Sequence, residues 1–124
     1  MELTININKK TYTMPKLIRK RSRIFDEAFE KVDAGTKGTV KNDNESLDII
    51  EDALVGVYDN QFTKDEIEEN MDEAEILAAF MSIYLYREQR LLEEQSNISE
   101  NFMKKNSVLL NMMEQNSAGE QSQQ

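Results

Sequence analysis

The chain contains no histidine and no cysteine among its 124 residues. Without histidine it lacks the side chain that exchanges a proton near neutral pH, and with it the usual base of a nucleophilic triad. Without cysteine it has no thiolate nucleophile, no disulfide, and none of the sulfur ligands that zinc and iron–sulfur centres take. Cysteine usage therefore gives no sign of an oxidising compartment. No apolar run approaches the about 18 residues that cross a bilayer, and the N-terminus lacks the apolar core of a signal peptide. The nearest thing to a glycine-rich loop, Gly35-Thr36-Lys37-Gly38-Thr39, does not have the spacing of a phosphate-binding loop. These absences predict a soluble intracellular protein with no membrane contact and no cofactor, and they argue against an enzyme.

What is present is charge, mostly acidic. There are 24 Asp and Glu against 15 Lys and Arg, a formal net charge of -9. The length suits one domain. With 39% hydrophobic residues, a modest core is expected and part of the chain should lie outside it. Thirteen carboxylates fall between Asp43 and Glu75, but without the alternating Asp/Asn order and glycine of a calcium loop. Their spread over helix exteriors and caps predicts a solvated acidic face rather than a metal or hydrolytic site.

Periodicity divides the chain. Leu3, Ile5 and Ile7 alternate with Glu2, Thr4 and Asn6, the pattern of a half-buried strand. Asn8, Lys9 and Lys10 form a turn, and Thr11-Tyr12-Thr13 resumes a strand that Pro15, the only proline, stops. A hairpin alone is marginal in water, so helices must cover it. The first is expected from about Lys16 to Val32, with Leu17, Ile18, Ile24, Phe25, Ala28, Phe29 and Val32 on one apolar arc. Ala34 to Asn44 is a linker. A second helix starts near Asn44, a good cap, and buries Leu47, Ile50, Ala53, Leu54 and Val57 before Asp59-Asn60 end it. Gly56 weakens its last turn.

Thr63 and Glu66 then have capping-box spacing, and Phe62 can staple onto Ile67. Asp72 and Glu75, flanked by Met71 and Ile76, repeat the arrangement. A short helix from Lys64 to about Asn70 and a long one from Glu73 to about Gln95 follow. In the long helix Ile76, Leu77, Phe80, Met81, Tyr84 and Leu91 supply a core stripe, and Ile83 and Leu85 widen it towards a second contact. Asn97 to Lys105 is polar with two isolated apolar residues, Ile98 and Phe102. Val108 to Met113 is a compact apolar cluster, either folded back as a short helix or exposed as a hook for a partner. Three of the seven methionines lie beyond position 100, which favours adaptable packing. The last eleven residues are low-complexity.

The expected fold class is helix-dominated α+β: an N-terminal β-hairpin, three or four helices and a flexible C-terminal tail. The expected division is a domain over 1–96 and a tail over 97–124 that carries the apolar segment 108–113. Oligomeric state stays open, since wide apolar stripes close a monomer core or a homo-oligomer contact equally well. Charge is also segregated. Residues 1–23 hold seven basic residues and one acid, net +6, whereas the remainder holds eight basic and twenty-three acidic, net -15. Lys16, Arg19, Lys20 and Arg23 share a helix face at i, i+3, i+4 and i+7. This is the one surface that suits a small nucleic-acid-binding regulator, although the overall acidic field opposes phosphate.

Four segments in order carry a resemblance. They are MELTININ (1–8) with TYTMP (11–15), the basic helix KLIRKRSRIFDEAF (16–29), VGVYDNQFTKDEIEE (55–69), and the acid-started helix MDEAEILAAFMSIY (71–84). Together they resemble the small tail assembly chaperones of long-tailed phages. In that family a strand, a turn and an aromatic-Thr-x-Pro ending open the chain, and an Asn-Gln-Phe-Thr-acidic stretch sits mid-chain. The resemblance covers about residues 1–90 of this sequence. The small Ser-Gly residues often found after the proline are missing here. The resemblance implies a non-enzymatic assembly factor of the host bacterial cytoplasm that is absent from the mature virion. It implies the tape measure protein and the tail tube protein as partners, and often a frameshifted longer form. Lys104-Lys105-Asn106 is compatible with an adenine-rich slippery run. On this reading Ile83, Leu85, Leu109, Leu110, Met112 and Met113 are the expected partner contacts. The alternatives are the regulator acting through Lys16, Arg19, Lys20 and Arg23, and a structural head–tail component.

Overall fold

The computed structural model describes residues 2–36 and 39–105. Its elements are β1 (Thr4–Ile7), β2 (Lys10–Thr13), α1 (Arg19–Val32), α2 (Asn44–Val57), α3 (Lys64–Asn70) and α4 (Glu73–Lys105). The chain divides into two compact units, Met1–Tyr86 and Arg87–Gln124. The expected α+β class, a hairpin followed by four helices among the described residues, is the one observed.

β1 and β2 pair antiparallel with Ile7 opposite Lys10. Lys10 is thus the first strand residue, and the loop is only Asn8-Lys9, at φ 51 and 66. Two successive left-handed residues match the twist of a two-residue hairpin, and asparagine tolerates that conformation best. Ile5 and Ile7 point into the core, while on the outer face Thr11 Oγ1 donates to Asn6 Oδ1 across the pair at 2.7 Å. Gln61 Nε2 donates to the Thr13 carbonyl at 2.9 Å, tying the far loop to the hairpin. Tyr12 meets the buried Phe62 edge-on at 5.2 Å.

The first helix begins three residues later than its periodicity suggests. Ile18, at ψ 162, is the N-cap and has no side-chain cap bond. The Lys16 carbonyl is instead taken by the Ile18 N–H at 2.8 Å and by Arg21 Nη2 at 2.6 Å. Lys16 therefore lies in the connection after Pro15, outside the helix, and its i, i+3, i+4, i+7 relation to the other basic residues does not hold. α2 is capped one residue earlier than expected, by Asp43, whose Oδ1 accepts from the Ser46 N–H at 2.7 Å. That bond holds the Asp43 carboxyl below its ordinary range.

α1 packs closely on α2. A Cβ on Gly56 would sit 3.2 Å from Ile24 Cγ2, so the glycine that weakens the last turn of α2 also lets α1 approach. α2 ends in a Schellman arrangement, with Asp59 N–H donating to Gly56 O and Asn60 N–H to Val55 O. Both capping boxes are formed. Thr63 Oγ1 accepts from Glu66 N–H at 3.1 Å and Glu66 Oε1 from Thr63 N–H at 3.2 Å. Asp72 Oδ1 accepts from Glu75 N–H at 2.8 Å and Glu75 Oε1 from Asp72 N–H at 3.1 Å. They place Met71 in extended backbone between α3 and α4.

The core of the first unit gathers Phe25, Val32, Ile50, Leu54, Val57, Tyr58, Ile67, Phe80 and Ile83, all buried. Phe25 packs on Phe80 at 4.8 Å and Phe29 stacks on Tyr84 at 5.4 Å, so aromatic rings join α1 to the first part of α4. α4 itself does not end near Gln95 but runs to Lys105. The apolar period fades after Ser96, but the stretch holds neither glycine nor proline, and only such residues would actively stop a helix.

Candidate functional site

Two surfaces carry unsatisfied chemistry. The first is the helix of the second unit. Leu91, Leu92, Ile98, Phe102 and Met103 are each between 51% and 66% exposed. At about 100° per residue, Leu91, Ile98 and Phe102 fall on one line and Leu92 and Met103 on another about 110° away. Arg90, Glu93, Glu94, Asn97 and Glu100 occupy the opposite arc, where Arg90 pairs with Glu94 and Gln89 Nε2 donates to Glu93 Oε1 at 3.4 Å. The result is an amphipathic helix whose apolar side chains are more than half exposed.

This face overlaps only partly with the residues expected to meet a partner. Leu85, at the end of the first unit, is 64% exposed. Ile83 is completely buried. It belongs to the core with Phe80 and is not presented to a partner. Leu109, Leu110, Met112 and Met113 lie outside the described residues. Leu91, expected in the core stripe, is half exposed instead, because it falls beyond Tyr86, where the first unit ends. Leu92, Ile98, Phe102 and Met103 were missed because their apolar spacing is diluted by Gln95, Asn97 and Ser99. The i, i+7, i+11 spacing of Leu91, Ile98 and Phe102 was the available signal.

Arg19, Lys20 and Arg23 are exposed on the first turns of α1. They sit at a helix N-terminus with no acid in the first turn, where the helix dipole disfavours positive charge. Lys16 is exposed in the connection before them. The four stay a basic patch, without the single helical face that a recognition helix would need.

The second surface is a cleft of about 570 Å³ in the first unit, lined by Asn44, Asp48, Glu51, Glu68, Asp72 and neighbouring residues. Asp48, Glu51 and Glu68 each bring a carboxylate oxygen to it, the three lying within 4.8 Å of one another. The expectation of a wholly solvated acidic face fails at Glu51, which is 5% exposed. Glu51 follows Leu47 by four residues and precedes Leu54 by three, so it stands on the buried stripe of α2; that spacing could have revealed it. Its Oε2 has no hydrogen-bond partner. Burial first, and the neighbouring Glu68 second, push its pKa up to about 7. Lys64 Nζ lies 3.5 Å from both Asp48 and Asp52 on the rim, and their charges hold its ammonium above the ordinary lysine range against desolvation. Tyr58 is pushed up to about 12 by burial alone.

No helix among the described residues is long and apolar enough to cross a membrane. A family model described as phage tail chaperone protein matches residues 1–102. That span reaches further than the motif resemblance and includes most of the exposed apolar face. No curated protein and no solved structure matches the chain significantly.

Proposed function

We propose a holding role from one premise: this chain belongs to the phage tail chaperone family. In this reading it binds the tape measure protein in the host cytoplasm, keeps it soluble, helps recruit tail tube subunits and leaves before the virion is complete, without catalysing a reaction. The supporting observation is the exposure of apolar side chains along α4. A holder of long amphipathic helices needs apolar surface that stays available in the folded state, opposite a charged face that keeps the complex in solution. Leu91, Leu92, Ile98, Phe102 and Met103 supply the first, and Arg90, Glu93, Glu94 and Glu100 supply the second. Leu85 is a separate exposed apolar residue of the first unit. The proposal adds Leu109, Leu110, Met112 and Met113 as a further apolar contact in the tail of residues 97–124, the rest being a chaperone domain.

The test is co-expression with the tape measure protein encoded nearby in the same genome, followed by pull-down and a solubility assay. A variant carrying Leu92→Gln, Ile98→Gln and Phe102→Gln keeps helix propensity, since glutamine ranks with leucine. Each side chain is more than half exposed, so the fold should survive while co-purification is lost. Wild-type levels of soluble complex with the triple variant would refute the assignment of this face. No complex with the wild type, together with salt-sensitive DNA binding lost on reversing Arg19, Lys20 and Arg23, would favour the regulator. Finding the protein in purified particles would favour a structural component.

A further inference from the structure

We propose that the cleft between α2 and α3 is a divalent-cation site that takes Ca²⁺, with Asp48, Glu51 and Glu68 as its carboxylate ligands. Asp48 and Glu51 sit one turn apart on α2, and Glu68 faces them from α3. Each offers an oxygen, and the three oxygens lie within 4.8 Å of one another. Oxygens bound to Ca²⁺ at about 2.3–2.6 Å are at most about 5 Å apart, and Ca²⁺ takes several protein carboxylates where Mg²⁺ keeps most of its waters. Three carboxylate oxygens within 4.8 Å of one another therefore suit calcium.

Acidic residues alone would not make a site. The independent observation is Glu51 itself, 5% exposed and with Oε2 unpartnered. A buried carboxylate normally has a donor or a counter-charge, because burial without one is costly. Lys64 provides a counter-charge to Asp48 and Asp52 at 3.5 Å, on the exposed rim. Neither Glu51 nor Glu68 has an ion pair among the described residues. The interior of the cleft is thus where a cation would compensate both carboxylates. Its donors are all hard oxygens, in a chain that has no imidazole or thiolate to offer, and that chemistry selects calcium or magnesium over zinc. Asn44 and Asp72 line the same cleft, and the cleft's open side leaves room for water in the remaining coordination positions. A bound ion would pin α3 to α2 where only partly compensated like charges now meet.

The test uses the full chain, stripped with EDTA and dialysed, titrated with CaCl₂ by calorimetry and melted with and without calcium. The expected result is one saturable site and a melting temperature that rises with calcium concentration. Affinity should fall at least about tenfold in Glu51→Gln and in Glu68→Gln, the loss expected when one charged ligand becomes neutral. Glu93→Gln, on the charged face of α4, should bind like the wild type and controls for diffuse surface charge. Glu68 is exposed, so its variant keeps the test valid even if Glu51→Gln misfolds. Absence of saturable binding at calcium on the order of 10⁻³ M, the weak end of biological sites, would overturn the proposal. So would binding undiminished in both cleft variants, or a site that takes MgCl₂ or MnCl₂ in preference to CaCl₂.

Discussion

Glu51→Gln should stabilise the metal-free protein at alkaline pH and leave it nearly unchanged near pH 4.5. In the folded chain the Glu51 carboxyl is faced by Glu68 of α3 and by Asp48 of its own helix, with Lys64 the nearest compensating charge. Burial and these neighbours raise its pKa from 4.5 to about 7. A carboxyl whose folded pKa exceeds its unfolded value binds more protons in the folded state between the two, so stability falls as pH rises through that window. Below about pH 4.5 the group is neutral in both states and carries no penalty; above about pH 7 the penalty is complete. From 4.5 to about 7, at about 1.36 kcal/mol per pH unit, it reaches roughly 3 kcal/mol. Glutamine has the same shape, no charge, and an amide N–H that can donate to Glu68. The expected gain is therefore about 1–3 kcal/mol at pH 8, shrinking towards zero at pH 4.5. Urea unfolding in EDTA, followed by circular dichroism at several pH values on both proteins, reads the difference free of the other carboxylates. A difference that does not vary with pH, or a variant less stable than wild type at pH 8, would refute the reasoning.

Further outcomes follow from the packing. Phe80→Ala removes the ring that stacks on Phe25 at 4.8 Å in a fully buried position, and should cost about 3–5 kcal/mol in chemical denaturation. Thr63→Ala deletes the Oγ1 that accepts from Glu66 N–H at 3.1 Å; the expected loss is about 1 kcal/mol, seen as a lower urea midpoint with an unchanged slope. Among the four tyrosines, the buried Tyr58 should ionise at about pH 12, and an ultraviolet titration of Tyr58→Phe should lack the step at that pH.

Local features of this chain were written plainly in the sequence. The Ile5/Ile7 alternation, the Leu47–Val57 stripe, the limits of α3 and both capping boxes follow from period and short-range hydrogen bonding, which involve residues at most four apart. Where the reading failed, the cause was also local: Lys16 looked helical because the carbonyl contacts from Ile18 and Arg21 are invisible to periodicity. The end of α4 was misplaced because fading amphipathicity was taken as a stop, although no glycine or proline supplies one.

Which side of a helix meets the core is a different kind of fact. Ile83 and Leu85 were equivalent as apolar residues widening one stripe; the packed core buries the first and leaves the second exposed. Leu91 carried the same periodic signal as Phe80, yet Phe80 has Phe25 against it and Leu91 has no such ring partner. Glu51 was one acid among thirteen until α3 brought Glu68 beside it. The sequence by itself determined the elements, their caps and the acidic excess, because these depend on neighbours along the chain. Only the tertiary structure decided which apolar residues stay exposed and which carboxylate loses its water, because burial is set by contacts between segments distant in sequence.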